Sequence, residues 1–214
     1  MRAVLFLLAV ILLGACQSLP DETTPMSLGE IALTPPGHTD FCQRYPADCA
    51  RRDGVQQASL TPALWQELWR VHRAARAATR PVTDSAQYGR VEFWDYANGA
   101  GDCEDVALLS YRELISRGWA PTTLRMAVGV TEWGDRHAVL VAITNRGDFV
   151  LDSAYAQVMP WDRLPYSWIK RQSQRDDRVW QIVEAPPENR LIDGADTTPV
   201  AATRRHRAVD DLPW

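Results

Sequence analysis

Gly101-Asp102-Cys103-Glu104-Asp105-Val106-Ala107-Leu108-Leu109-Ser110-Tyr111-Arg112-Glu113-Leu114-Ile115 reads as a tight turn that opens directly into an amphipathic helix, with a cysteine in its first turn. Asp102 stands at the N-cap position, where a carboxylate accepts an N–H that the helix start leaves unpaired. Glu104 and Asp105 suit the positive end of the helix dipole. Val106, Ala107, Tyr111, Leu114 and Ile115 recur at helical spacing and predict a core-facing stripe. Gly118 then ends the helix behind Arg117. A cysteine so placed meets unpaired N–H groups and the dipole, and both favour thiolate over thiol. The competing reading is a small buried residue at a helix start, and placement alone leaves the two open.

The surrounding chain narrows the choice. With 214 residues it suits one domain with tails, and a net charge of −4 gives no reason to expect a nucleic-acid partner. Residues 1–15 read as a secretory signal: Arg2, an apolar run from Val4 to Leu13, then Leu13-Gly14-Ala15-Cys16. These last four residues resemble a bacterial lipobox, which implies cleavage before Cys16 and lipidation of its thiol. Gln17 in the next position points to the outer membrane, with the domain in the periplasm. In an oxidising compartment, Cys42 and Cys49 read most simply as a disulfide. A metal pair is the weaker alternative, because further ligands at metal spacing are missing. Cys103 is then a spare thiol, and a spare thiol in a secreted protein reads as reactive.

Residues 16–40, rich in Pro, Thr and Ser, read as a flexible tether, with the folded domain spanning 41–184 and a disordered tail over 185–214. Thr61-Pro62 opens a helix carrying an apolar stripe of Leu64, Leu68, Val71, Ala75 and Ala78. His72 lies in it and reads as solvated or half-buried. Val82 to Gly99 is loop-like, and its aromatics Phe93, Trp94 and Tyr96 read as packing or as a substrate platform. Strands are predicted over Thr123–Thr131, Arg136–Thr144, Asp148–Asp152 and Val179–Glu184, with Tyr155–Lys170 partly helical or irregular. Arg136–Thr144 is apolar on both faces, the mark of a central strand.

A two-residue Asn145-Arg146 loop sets Thr144 opposite Gly147 and Val139 opposite Asp152. His137 is then diagonal to Asp152 on one face, ~7–8 Å away between backbones and within side-chain reach. A three-residue loop would separate them. Cys103, His137 and Asp152 thus compose a cysteine nucleophile, a base and an orienting acid.

The chain resembles the bacterial transglutaminase-like cysteine peptidases, which include the LapG-type periplasmic adhesin proteases. The resemblance rests on Asp84, Tyr88-Gly89 and Trp94; on Gly101 to Asp105; on Gly118-Trp119 and Leu124-Arg125-Met126; and on His137-Ala138-Val139-Leu140 with Leu151-Asp152. It covers about Phe41 to Val183. It implies an α+β, papain-like core in which a Cys-bearing helix packs on an antiparallel sheet carrying His and Asp. It also implies catalytic roles for Cys103, His137 and Asp152. Ser153 departs from the Asn that follows the Asp in many relatives. The resemblance further implies Ca²⁺ held by Asp102, Glu104 and Asp105. Independently, three carboxylates beside a cysteine oppose thiolate formation, and a cation would cancel that repulsion.

The expected function is therefore a periplasmic cysteine endopeptidase. Its substrate is a secreted or surface protein, such as a large adhesin, and an inner-membrane receptor is the expected regulator. Acyl transfer to an amine, amidase action on the same fold, or a non-catalytic binding lipoprotein are the alternatives.

Overall fold

The computed structural model describes residues 18–184. In chain order it contains β1 (Leu28–Ala32), α1 (Pro36–Arg44), α2 (Pro62–Ala78), β2 (Arg80–Pro81), α3 (Asp84–Tyr88), β3 (Ala100–Gly101), α4 (Cys103–Ser116), β4 (Leu124–Val130), β5 (Arg136–Thr144), β6 (Gly147–Leu151), β7 (Met159–Pro160), β8 (Ser167–Gln172) and β9 (Trp180–Val183). One antiparallel sheet runs in the order β1-β9-β8-β4-β5-β6-β7, and a separate parallel ladder of β2 and β3 leads into α4.

The double-sided β5 explains the layering. Ala138, Leu140 and Ala142 pack with Leu68, Val71, Ala107 and Leu114 of α2 and α4. Val139, Val141 and Ile143 join Met26, Trp161 and Leu164 in a second core on the opposite face. Helix α2 begins as its sequence predicts, with Thr61 Oγ1 accepting the Leu64 N–H at 3.2 Å and Pro62 in the first helical turn. The disulfide between Cys42 and Cys49 is present. Among the described residues no helix is long and apolar enough to cross a membrane.

Several expectations are corrected. The stretch read as a tether up to Asp40 carries β1 and most of α1. β1 pairs with β9, and Met26 is buried. The Met26 N–H donates to Asp148 Oδ2 at 2.9 Å, and the Thr23 N–H to the Arg146 carbonyl at 2.9 Å. The Thr23 carbonyl fills the space a Cβ on Gly147 would need, at a residue with φ +99°. Composition hid this segment because its partners lie more than a hundred residues away. His72 is fully buried, with Nε2 on the Tyr155 carbonyl at 2.9 Å. The Val82–Gly99 loop contains α3, and the irregular Tyr155–Lys170 stretch contains β7 and the start of β8. The packing reading holds for Trp94, a core residue packed edge-on against His38 and Trp180. The signal, Cys16 and the 185–214 tail lie outside the described residues.

Asp148, fully buried, is also paired with Arg171 at 2.8 Å. Arg171→Met leaves that carboxylate without its counter-charge, which costs about 3–5 kcal/mol in a buried pair. Urea denaturation of the variant is expected to show a loss of this size; a stability within 1 kcal/mol of wild type, on the order of a surface change, would contradict the pairing.

Candidate active site

Two elements bring the site together. The β5–β6 register runs Thr144 opposite Gly147 and Leu140 opposite Leu151, as a two-residue loop requires. Continued by one pair, it sets Asp152 opposite Val139 and diagonal to His137. His137 Nε2 and Asp152 Oδ1 are 2.6 Å apart. Asp152 has no exposed surface. Its Oδ1 also accepts the Ala154 N–H at 2.8 Å, and its Oδ2 accepts the Tyr166 hydroxyl at 2.6 Å. Burial opposes the charge on Asp152, but the hydrogen bond and charge of His137, with the Tyr166 and Ala154 donors, hold its carboxyl below the usual range. With Nε2 on Asp152, Nδ1 of His137 is the ring nitrogen left for another partner.

Cys103 enters from the helix side, as the first residue of α4. Its Sγ accepts the Ala138 N–H at 3.5 Å, so the thiol abuts the backbone next to His137. It also lies 2.9 Å from Glu104 Oε2, to which the thiol donates. Among the described residues no hydrogen bond joins Cys103 to His137. Desolvation, then the charges of Glu104 and Asp102, push the Cys103 thiol well above its ordinary range. The helix dipole is outweighed here. Asp102 occupies the N-cap position without capping, and its Oδ2 instead accepts the Asp84 N–H at 3.3 Å.

A carboxylate cluster surrounds this turn. Asp84, Asp102 and Asp105 each offer an oxygen within 4.8 Å of the others, and Asp102 and Glu104 form a second group with the Cys103 sulfur. Asp84 Oδ1, Asp102 Oδ1 and Asp105 Oδ2 are buried and without a hydrogen-bond partner. The remaining oxygens are engaged: Asp84 Oδ2 accepts the Phe93 N–H, and Asp105 Oδ1 the Asp95 N–H at 2.8 Å. Burial, reinforced by the neighbouring acids, raises Asp84 to about 6, Asp105 to about 8 and Glu104 to about 9. Gly101 permits the crowding, since a Cβ there would sit 2.6 Å from Asp105 Oδ2. Buried carboxylate oxygens aimed together without donors fit a hard cation with oxygen preference. Asp84 was legible in the sequence as part of the family resemblance, but its place in this cluster was not. Tyr166 carried no sequence signal at all.

Residues 28–187 match the family described as bacterial transglutaminase-like cysteine proteinase. Among solved structures, calcium-bound LapG of Legionella pneumophila is similar, at 19% identity and TM-score 0.49, covering 60% of this chain and 74% of that one. The EGTA-treated form of the same protein gives 18% identity and TM-score 0.47, covering 57% and 68%. No curated protein matches. The family match spans most of the chain, and the protein belongs to the bacterial transglutaminase-like cysteine proteinases and is a cysteine peptidase.

Proposed function

We propose that the protein is a periplasmic endopeptidase in which Cys103 is the nucleophile, His137 the base and Asp152 its orienting acid, and that it acts on a secreted or surface protein. The observation that carries this reading is the 2.6 Å His137–Asp152 contact beside a cysteine whose sulfur touches the Ala138 N–H. In the reaction, the Cys103 proton passes to His137 Nδ1 and Sγ bonds to the scissile carbonyl carbon. The carbonyl electron pair moves to oxygen, where N–H groups at the start of α4 supply donors. The imidazolium then gives its proton to the departing amine as the C–N bond breaks. Water gives a proton to His137 and bonds to the thioester carbon; the C–S bond then breaks, the acid is released and the Cys103 sulfur takes the proton back from His137. Asp152 stays ionised and keeps Nε2 protonated throughout.

The carboxylate cluster is proposed to hold Ca²⁺ through Asp84, Asp102 and Asp105, with Glu104 at its margin. When bound, the ion supplies positive charge that offsets the carboxylates opposing the Cys103 thiolate. Its ligand shell needs ~6–8 oxygens, more than these side chains offer, so backbone carbonyls or water would have to complete it. The lipobox-like Leu13–Cys16 supports a lipid anchor at Cys16 in the outer membrane, and the family resemblance implies a large adhesin as substrate and an inner-membrane receptor as regulator of access.

The first test is Cys103 alkylation by iodoacetamide against pH, with Ca²⁺ or with chelator. Fast reaction in Ca²⁺ well below the free-thiol value of ~8.5 is expected. His137→Ala should slow it at least about tenfold at pH 7, in line with a lost general base. A slow thiol in Ca²⁺, indifferent to His137, would sink the peptidase mechanism written above.

Asp84→Asn with Asp105→Asn should abolish Ca²⁺ binding measured by calorimetry while the far-ultraviolet circular dichroism is kept. Retained affinity would place the ion elsewhere.

The raised carboxyls also fix a pH dependence. Asp84, Asp105 and Glu104 bind protons more tightly folded than unfolded. Without metal, their contribution to stability is therefore full at acid pH and is lost as pH rises from about 4 through about 9. The thermal midpoint of chelated protein should fall between pH 5 and pH 8. Added Ca²⁺ should raise it more at pH 8, where protons compete less. An equal Ca²⁺ effect at both pH values would count against the cluster as the site.

A further inference from the structure

We propose that Tyr166 is a positioning residue of this peptidase: its hydroxyl holds Asp152 Oδ2 so that Oδ1 stays directed at His137. The inference rests on the triad reading given above and extends it to a residue outside the Cys-His-Asp set.

The geometry is specific. Asp152 is buried on all sides, and its two oxygens divide their partners: His137 and the Ala154 N–H on Oδ1, Tyr166 on Oδ2. Without the hydroxyl, no other hydrogen-bond donor among the described residues reaches Oδ2. The carboxylate would then be free to turn toward whichever oxygen His137 could share. Tyr166 also touches the imidazole itself, with ring centroids 5.8 Å apart at 73°. One side chain thus packs the base edge-on and anchors the acid behind it. The phenol is held far above its ordinary pKa by burial and by Asp152, so it remains a donor at every working pH.

The backbone accounts for how Tyr166 gets there. β4 pairs with both β5 and β8, and the register with β8 shifts between Val128 and Gly129. Such bulges re-aim side chains next to sites. Gly129 is the residue opposite His137 on β5. A Cβ on Gly129 would sit 3.5 Å from Tyr166 Cβ and 3.4 Å from the Trp168 ring. These are ordinary contact distances, so Tyr166 and Trp168 pack directly beside the residue opposite the base. Tyr155 and Trp168 complete an aromatic wall around the phenol. The other ionisable groups near Asp152 are engaged elsewhere: His72 Nε2 with the Tyr155 carbonyl, Arg76 Nε with the Ser153 carbonyl at 2.8 Å, and the Tyr155 hydroxyl with that of Tyr166. None of them bonds Oδ2.

The test uses the Ca²⁺-loaded protein and compares Tyr166→Phe with Asp152→Asn, reading three quantities. Iodoacetamide alkylation of Cys103 at pH 7 should slow roughly tenfold in Tyr166→Phe, the order expected for one lost hydrogen bond to a buried charge. Nitrogen-15 spectra should show His137 in a single Nε2–H tautomer in wild type and in mixed tautomers in Tyr166→Phe. The low-pH step that reports Asp152 protonation through the His137 signals should move to higher pH, because a donor to the carboxylate is gone. A purely packing role for Tyr166 would move none of the tautomer or pH readouts, since Phe keeps the ring. Should Tyr166→Phe fold poorly, 3,5-difluorotyrosine at 166 keeps the ring and strengthens the donor, and the same step should move to lower pH.

If Tyr166→Phe matches wild type in all three readouts while Asp152→Asn is slowed, the inference is wrong and the triad stands. If Asp152→Asn is itself unslowed, the triad reading fails and the role given to Tyr166 falls with it.

Discussion

A carboxylate with no exposed surface has to be met by donors, and Asp152 sets that demand at the end of β6. Leaving a buried charge without partners costs several kcal/mol, so the chain around it is constrained in three places at once. The β5–β6 hairpin must keep the register that brings His137 to Oδ1. The turn after β6 must present the Ala154 N–H. The approach to β8 must deliver the Tyr166 hydroxyl. A one-residue slip in the hairpin would move His137 to the opposite face. The requirement that stabilises the acid is therefore the same one that fixes the base.

The cysteine obeys a different balance. A helix start favours an anion by about 0.3–1 kcal/mol. One like charge at ~4 Å opposes it by about 4 kcal/mol at the effective dielectric typical near a protein surface. Desolvation opposes the thiolate most, and Glu104 and Asp102 add to it on the wrong side of that comparison. In the structure the thiol accordingly donates to Glu104. The three unpartnered oxygens of Asp84, Asp102 and Asp105 are the counterpart of the same excess negative charge. Nucleophile and acidic cluster are one electrostatic unit, and thiolate chemistry at Cys103 requires that the excess be offset.

Much of this was legible in the residues because its determinants are local. A two-residue Asn145-Arg146 loop, the commoner of the lengths weighed, implied the pairing that joins His137 to Asp152, and an apolar run without alternation identified β5 as central. Thr61-Pro62 announced α2. The failures share a cause in long-range partners. Met26 and β1 look like linker until Asp148 and β9 are placed beside them. Asp102 looks like a cap until Asp84 offers its backbone N–H. Tyr166 reaches Asp152 through a bulge set by β4 and β8 pairing, and no spacing in the sequence encodes that shift. His72 reads as surface by its arginine neighbours, yet the Tyr155 carbonyl takes it into the core.

The ordered N-terminal segment changes what a lipid anchor would do. Arg146 Nη2 bonds the Pro20 carbonyl at 3.0 Å, and the Thr23 N–H bonds the Arg146 carbonyl at 2.9 Å. On the proposed lipidation at Cys16, only the step from Cys16 to Pro20 separates the lipid from the folded body. Four residues span at most about 14 Å of extended chain. A tether running to Asp40 would let the domain roam, whereas on that proposal a lipid at Cys16 would keep the Asn145–Gly147 turn close to the bilayer. That turn is at one end of β5 and His137 is at the other. Seven residues of strand rise about 24 Å. On that proposal the anchor and the His137–Asp152 pair would lie toward opposite ends of the same hairpin, and a membrane-held enzyme would present its cysteine away from its own lipid.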